Sequence, residues 1–427
     1  MHRTIAATLL VAMPVSVALA QGSSLDRVTS GTDFNPKISV IFDGVYYNDN
    51  VDGEGNELLG EVDGISHAHG HEGEHSHGHG SAGPGFNLRT TEITLSGSVD
   101  HLFEAFANIA VDSDGGVALE EAYFISRGLP AGLMVKGGKF LSDIGTINNQ
   151  HPHQWDFVDQ NLAYQSLIGE HGLQDTGLQL RWLPALDTYL EVGFEALQGE
   201  QDKLGTLADE DEIEADGVTG LDDRGDGPRL FTVFTKWSPD LGYSHTLRLG
   251  LFGAYATQHQ EIHDDPAVHA LEGDAWLAGT DWVYGYDAAG NYGQGDLKLQ
   301  AEYLYAVKDL EVAYHEANAA AVGQTRELRQ DGFYAQAVYG FAPRWDVAVR
   351  YDATGWTNEK TDGSDTLEDW DSSERGTLAV AFRPSHFSMI RLQAARSSLS
   401  VEGEREPVNQ VFLQYQLSLG SHGAHTF

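Results

Sequence analysis

Leu133-Met-Val-Lys-Gly-Gly-Lys-Phe140 and Gly177-Leu-Gln-Leu-Arg-Trp182 bracket the stretch around which the rest of the chain is arranged. In the second segment Leu178, Leu180 and Trp182 fall on one face and Gly177, Gln179 and Arg181 on the other, the period of a β-strand. The connection between them, Leu141 to Thr176, is far longer than a turn requires, and loops of that length in a compact protein are functional or disordered. Its apolar side chains, including Ile144, Trp155, Phe157, Leu162 and Tyr164, argue against disorder. Asp143, His151, His153, Asp156, Asp159, Glu170, His171 and Asp175 lie among them. The stretch reads as a folded-in loop lined with acidic and metal-friendly groups.

Strand patterns continue outward on both sides. Trp345, Val347, Val349 and Tyr351 oppose Asp346, Ala348, Arg350 and Asp352, and Val411, Leu413, Tyr415, Leu417 and Leu419 oppose Gln410, Gln414, Gln416 and Ser418. Such segments recur near 38–47, 87–99, 103–112, 117–126, 132–140, 176–183, 187–197, 229–237, 244–257, 276–286, 296–308, 331–341, 345–354, 375–383, 387–398 and 408–419. That predicts about sixteen strands, an even number in the range of single-chain membrane barrels.

A soluble sandwich shares this alternation, so the connections decide. Short turns at 100–102, 127–131, 184–186, 238–243, 342–344 and 384–386 alternate with long polar segments at 48–86, 141–175, 198–228, 258–275, 309–330 and 355–374. Short turns at one rim and long loops at the other mark an outer-membrane barrel. Trp182-Leu-Pro184, Trp237-Ser-Pro239, Phe341-Ala-Pro343 and Phe382-Arg-Pro384 all fall at short turns. An aromatic ring there suits a headgroup-level girdle, and proline ends the hydrogen-bond ladder.

Residues 1–20 read as a secretory signal, with Arg3, an apolar core from Ile5 to Val17 and Ala18-Leu19-Ala20 before Gln21. Residues 21–427 then form a single barrel, with a His-rich external loop at 48–86 and a constriction loop at 141–175 joining strands five and six. With no cysteine, stability has to come from a large core or a closed sheet. The 64 acidic and 25 basic residues give a formal charge of −39, which disfavours nucleic acid and favours cations as partners.

Gly138-Lys-Phe140, Asp143-Ile-Gly145 and Asp175-Thr-Gly-Leu-Gln179 resemble the strand, constriction loop and next strand of phosphate-selective porin O/P-like proteins. Gln150-His-Pro-His-Gln-Trp-Asp-Phe157 and Gly420-Ser-His-Gly-Ala-His-Thr-Phe427 resemble more closely a group of zinc-regulated bacterial outer-membrane proteins. The likeness covers roughly 130–185 and the C-terminus. It implies a porin in the bacterial outer membrane. Phosphate selectivity does not carry over, because rows of pore Lys and Arg are replaced here by an acidic chain.

Histidine marks the chemistry. His67 to His79 carries His67, His69, His71, His75, His77 and His79, six imidazoles in thirteen residues on a Gly-rich segment able to close round zinc, copper or nickel. The bland alternative is a solvated low-complexity loop. His71-Glu-Gly-Glu-His75 matches a zinc-protease motif, but Gly70, Gly73, Gly78 and Gly80 oppose the helix that motif needs. No enzyme is expected, since no nucleophile and base stand at readable spacing. His151 and His153 with Asp143, Asp156 and Asp159 would meet a permeating cation, or else bond the loop to the wall. His422 and His425 are a weak pair or a tail. The acidic run 198–228 is a solvated loop or a cation-attracting mouth.

Lys139, Asp143, Asp156, Arg181, Arg248, Lys298, Glu302, Asp346, Arg350 and Asp352 are the expected pore-lining charges. The sequence thus points to a channel for small solutes with cation preference, zinc being the first candidate cargo. The alternative is a non-conducting surface protein that buffers zinc. No cofactor is required beyond a divalent ion as ligand or cargo. The expected partners are outer-membrane lipid, divalent ions and barrel-assembly machinery through the C-terminal strand, with a homotrimer left open.

Overall fold

The computed structural model describes residues 36–64, 83–113, 115–201, 203–264, 267–362 and 365–420. The alternating segments become β1 (Lys37–Asp49), β2 (Gly85–Ser98), β3 (Phe103–Val111), β4 (Val117–Ser126), β5 (Leu133–Leu141), β6 (Gln174–Trp182), β7 (Tyr189–Leu197) and β8 (Leu230–Ser238). Longer strands follow: β9 (His245–His263), β10 (His269–Tyr286), β11 (Leu297–His315), β12 (Thr325–Ala342) and β13 (Trp345–Asp362). β14 (Asp365–Asp369), β15 (Ser373–Ser385), β16 (Ser388–Val401) and β17 (Glu404–Gly420) complete the sheet. Three short helices, α1 (Gly55–Gly60), α2 (Leu162–Leu167) and α3 (Glu210–Ala215), lie in the long loops.

Every neighbour is antiparallel, and β1 pairs with both β2 and β17, so the sheet closes without an edge. β14 is an arm on the far end of β13, which pairs directly with β15. Setting that arm aside leaves a closed barrel of sixteen strands.

The outward faces are apolar. Leu178, Leu180, Val233, Leu251, Leu299, Val349, Leu378, Leu392 and Leu413 are exposed, whereas Gln179, Arg181, Gln300, Arg350, Gln393 and Gln414 on the opposite faces are buried inside. At the turn rim Trp182, Trp237, Phe341 and Trp345 face outward, and Trp345 stacks on Phe382 at 4.6 Å. Further up the strands Tyr46 meets Phe86 at 5.0 Å, and Phe333 meets Trp356 at 5.5 Å. An apolar belt between aromatic girdles on a closed sheet is how strands cross a bilayer. No described helix is long and apolar enough to do so.

Three segments expected to be loops are largely strand. Positions 258–263 belong to β9, 269–275 to β10, 309–315 to β11, 325–330 to β12 and 355–362 to β13. Beyond the belt both faces of the sheet are covered or wet, so the apolar/polar alternation disappears. Gln260, Glu261 and Ile262 are all buried in succession.

The loop between β5 and β6 folds into the barrel. Phe140, Ile144, Ile147, Ala163, Tyr164 and Leu167 share one core with Leu304, Ala306, Leu328 and Tyr334 on the far wall. The backbone approaches closely at Gly332, where an added Cβ would lie 2.7 Å from that of Ala163. Gly145 takes a φ of 58° where the loop leaves the wall, a conformation that favours glycine.

Candidate functional site

The constriction loop carries its own carboxylates to cations on the wall. Asp143 lies 3.3 Å from Lys136 and 3.5 Å from Arg181, and accepts from Gln179 at 2.8 Å. Burial alone would raise its pKa, but Lys136 and Arg181 hold it well below the usual carboxylate range. Asp156 pairs with Lys298 at 2.8 Å and accepts from Gln336 at 2.7 Å. Asp159 bridges Arg350 and Arg375, each at 2.9 Å, while Asp352 binds Arg375 at 2.6 Å and accepts from the Leu162 N–H at 3.0 Å. For Asp159 too, burial is outweighed by Arg375 and Arg350, which lower its pKa.

Neutral donors hold the other side. Glu302 accepts from the N–H groups of Thr146 at 3.2 Å and Ile147 at 3.1 Å, and from the hydroxyls of Tyr164 at 2.8 Å and Tyr334. Thr146 donates to Asp281 at 2.7 Å and accepts from Arg248 at 2.5 Å. Trp155, half-buried, donates to the Gln150 carbonyl at 3.1 Å. Phe157 is buried beneath the Arg350 guanidinium, 4.6 Å from the ring centre.

His151 and His153 meet a different environment. The two rings stack 5.8 Å apart and are buried against β2, β3 and β4. His153 Nδ1 lies 2.9 Å from Glu92, and His151 contacts Glu121 at 2.8 Å, Glu120 at 3.3 Å and Glu92 at 3.8 Å. Asn108 donates to Glu92 at 3.0 Å and Glu120 at 2.7 Å. One ligand atom from each of Glu92, Glu120 and His151 falls within 4.8 Å of the others. Burial opposes the charged form of His151, yet the hydrogen bonds to Glu120 and Glu121 and the field of Glu92 prevail and raise its pKa well above the ordinary value.

Among the described residues Glu92 and Glu121 bond only to imidazole, amide and backbone groups, whereas Asp143, Asp156, Asp159, Asp281 and Asp352 each have a Lys or Arg. A buried nest of carboxylates and imidazoles offers the mixed N/O ligation that suits a divalent ion such as zinc.

The wall supplies two successive glutamates to this nest because of a β-bulge. Asn108 pairs with Glu121 and Ile109 with Leu119, leaving Glu120 as the extra residue, so both side chains turn inward. Sequence reasoning missed Glu92, Glu120, Glu121 and Asn108. The adjacent acids Glu120 and Glu121 inside an otherwise alternating strand were the available clue.

The other expected site residues divide. Asp143, Arg181, Arg248, Glu302, Arg350 and Asp352 face inward but are buried in pairings with the loop. Asp156, Lys298 and Asp346 border a cavity of about 480 Å³ on the turn side of the loop, shared with Trp155, Arg383 and Arg391. Asp346 pairs with Arg383. Lys139 is a correction: it pairs with Ala122 and Thr176 on the outer face and donates to the Leu119 carbonyl at 3.1 Å. Gly138, at φ 131°, marks the irregularity between it and Lys136, which faces the lumen instead. His67, His69, His71, His75, His77, His79, His422 and His425 lie outside the described residues, as do positions 1–35.

No family model matches the chain. An uncharacterized protein of Aquifex aeolicus is 34% identical over 406 residues, spanning 92% of this chain and 80% of that one. The chain belongs to the family of that Aquifex protein. Among solved structures, in-vitro folded OmpT, an outer membrane protein of Vibrio cholerae, superposes with a TM-score of 0.52 at 9% identity, over 90% of this chain and 97% of that one. Pseudomonas putida OprB in its high-pH structure gives 0.50 at 12% identity, over 90% and 94%. At such identities the likeness is one of fold. The closed sixteen-stranded barrel with its apolar belt is that of a porin-like protein of the bacterial outer membrane.

Proposed function

We propose that this family member is a porin-like channel for small solutes with cation preference, and that it takes a divalent metal, zinc first, at its constriction loop. The observation that carries the reading is the buried nest of Glu92, Glu120, Glu121, His151 and His153 between that loop and the wall. A permeating divalent ion finds three carboxylates and two imidazoles there, while Asp143, Asp156, Asp159, Asp281 and Asp352 are committed to Lys or Arg. The exposed acids of α3 and its loop would concentrate cations at the mouth. The zinc-regulated group resembled at Gln150–Phe157 fits the same reading, as do assembly through the C-terminal strand and a homotrimer. OmpT of Vibrio cholerae has been obtained in a trimer form.

Planar-bilayer recording of the refolded chain tests it. A conductance step, a reversal potential of cation sign across a potassium chloride gradient, and block by micromolar zinc are expected. A reversal potential of anion sign overturns the cation preference.

A second reading, capture of zinc without conduction, is favoured by how completely the loop is packed. Ile144, Phe157, Leu162 and Tyr164 are all buried within the lumen. Zinc binding with no conductance step selects this reading.

A further inference from the structure

His263 ends β9, His269 begins β10 and His315 ends β11. The register sets them side by side, His269 opposite His263 on one strand and His315 on the other. Their rings form a continuous stack, with centroids 5.0 Å apart for His263 and His269 and 5.5 Å for His269 and His315. We propose that this three-strand histidine ladder at the loop rim of the barrel is a binding site for a transition-metal ion of the zinc, copper or nickel class.

Two bulges aim the ladder into the lumen. Along β9, Ala256 is an inward residue, but Ala256 pairs with Ala275 and His259 with Gly273, so one extra residue reverses the alternation. His259, Glu261 and His263 then share the inner face. On β11 the same happens where Val312 pairs with Leu271 and Tyr314 with Ala270, which turns His315 inward and Tyr314 outward. Lys308 on the inner face of β11 bonds Glu261, which fixes the side. Without either bulge the three imidazoles could not share a face.

The hydrogen bonds leave the rings ready to ligate. His269 Nδ1 donates to the Ala267 carbonyl at 3.0 Å, so its Nε2 carries the lone pair. His263 Nε2 lies 3.2 Å from Glu261 and donates to that carboxylate, which leaves Nδ1 as the ligand and gives the carboxylate–imidazole orientation usual behind a metal-binding histidine. His315 Nδ1 is buried without a hydrogen-bond partner among the described residues.

The nearby cations are already neutralised, Lys308 by Glu261 and Lys360 by Glu368 at 3.7 Å. His259 is not counted as a ligand, since its Nδ1 accepts from the Gly205 N–H at 3.1 Å and its Nε2 contacts Glu261 at 2.8 Å. One nitrogen from each of the three rings does not fall within 4.8 Å of the others, so binding requires side-chain rotation that brings two adjacent rings to the roughly 2.0–2.1 Å metal–nitrogen distance. All-nitrogen ligation selects borderline transition ions over magnesium or calcium.

The ladder rests on the barrel and its register, not on conduction. Zinc equivalents bound by the refolded full chain are measured by equilibrium dialysis beside His269→Ala and His101→Ala, the latter on an exposed turn at the opposite rim. Loss of one equivalent, or at least a tenfold weaker site, in His269→Ala with no change in His101→Ala is expected. A second measurement needs only the native chain: one equivalent of zinc should protect His269 and at least one of His263 and His315 from diethyl pyrocarbonate, read by mass spectrometry. Equal zinc binding in His269→Ala, or carbethoxylation of all three histidines unaffected by zinc, overturns the ladder. Failure of the channel reading would show in bilayer recordings and leave both of these results unchanged.

Discussion

At the scale of single residues the lumen separates carboxylates held by cations from carboxylates that are not. Asp159 sits between Arg350 and Arg375, all three inside the barrel, and removing its charge would leave two guanidinium groups with Asp352 alone. Asp159→Asn should therefore cost about 3–5 kcal/mol, the cost of breaking a buried pair. Urea titration of the refolded barrel in lipid vesicles measures it. A loss of less than 1 kcal/mol would mean the pairings are as weak as surface ones. Glu92→Gln should abolish zinc block at a smaller cost in stability than Asp159→Asn, because the amide oxygen still accepts from Asn108 or His153 and Glu120 and Glu121 remain beside His151. Phe157→Ala belongs with Asp159. Its ring fills the space between Ala348, Ala379 and the Arg350 guanidinium, and its removal should cost about 3–5 kcal/mol in the same titration.

At the scale of elements, what the sequence revealed depends on where water lies. Strands crossing the belt, such as Gly177–Trp182 and Trp345–Tyr351, were legible because lipid on one face and a polar lumen on the other impose strict alternation. The extensions of β9 to β13 were not, since loop residues Ile213, Val218 and Leu221 cover Ile262 and Ala270 from outside and no contrast between faces survives. Bulges hid the rest. A single extra residue inverts every later side chain, so the inward glutamates of β4 and the histidines of β9 and β11 had no periodic signature. The inward path of the constriction loop was legible from its apolar residues, but its partners were not, because they come from strands far away in sequence. The His-rich segment makes a separate prediction at this scale. Deleting 67–79 should weaken zinc binding and leave the barrel folded, as a loop contributes little to the ladder. The loss should be larger near pH 7 than near pH 5, where ordinary imidazoles are protonated and do not ligate. Zinc affinity identical in the deletion at pH 7 would take the tract out of the mechanism.

At the scale of the whole molecule, closure gives the barrel two unlike rims, and their assignment to the two sides of the membrane ties the sites together. The short turns and the strand ends Lys37 and Gly420 share one rim, while α1, the α3 loop and the histidine ladder share the other. A strand entering from the periplasm rises along β1, so residues 48–86 and 198–228 should face the exterior. An ion arriving from outside would then meet the exposed acids around α3, the ladder at the rim, and the nest behind the constriction loop in that order. The opposite orientation would put the ladder and the acids on the exit side, where they could not gather ions from the medium. Protease added to intact cells decides between the two. Cleavage within 198–228 or 48–86 before the outer membrane is permeabilised supports entry at the acidic rim. Cleavage there only after permeabilisation, with the turn near His101 cut first, reverses the barrel and removes the physical basis for capture from the medium.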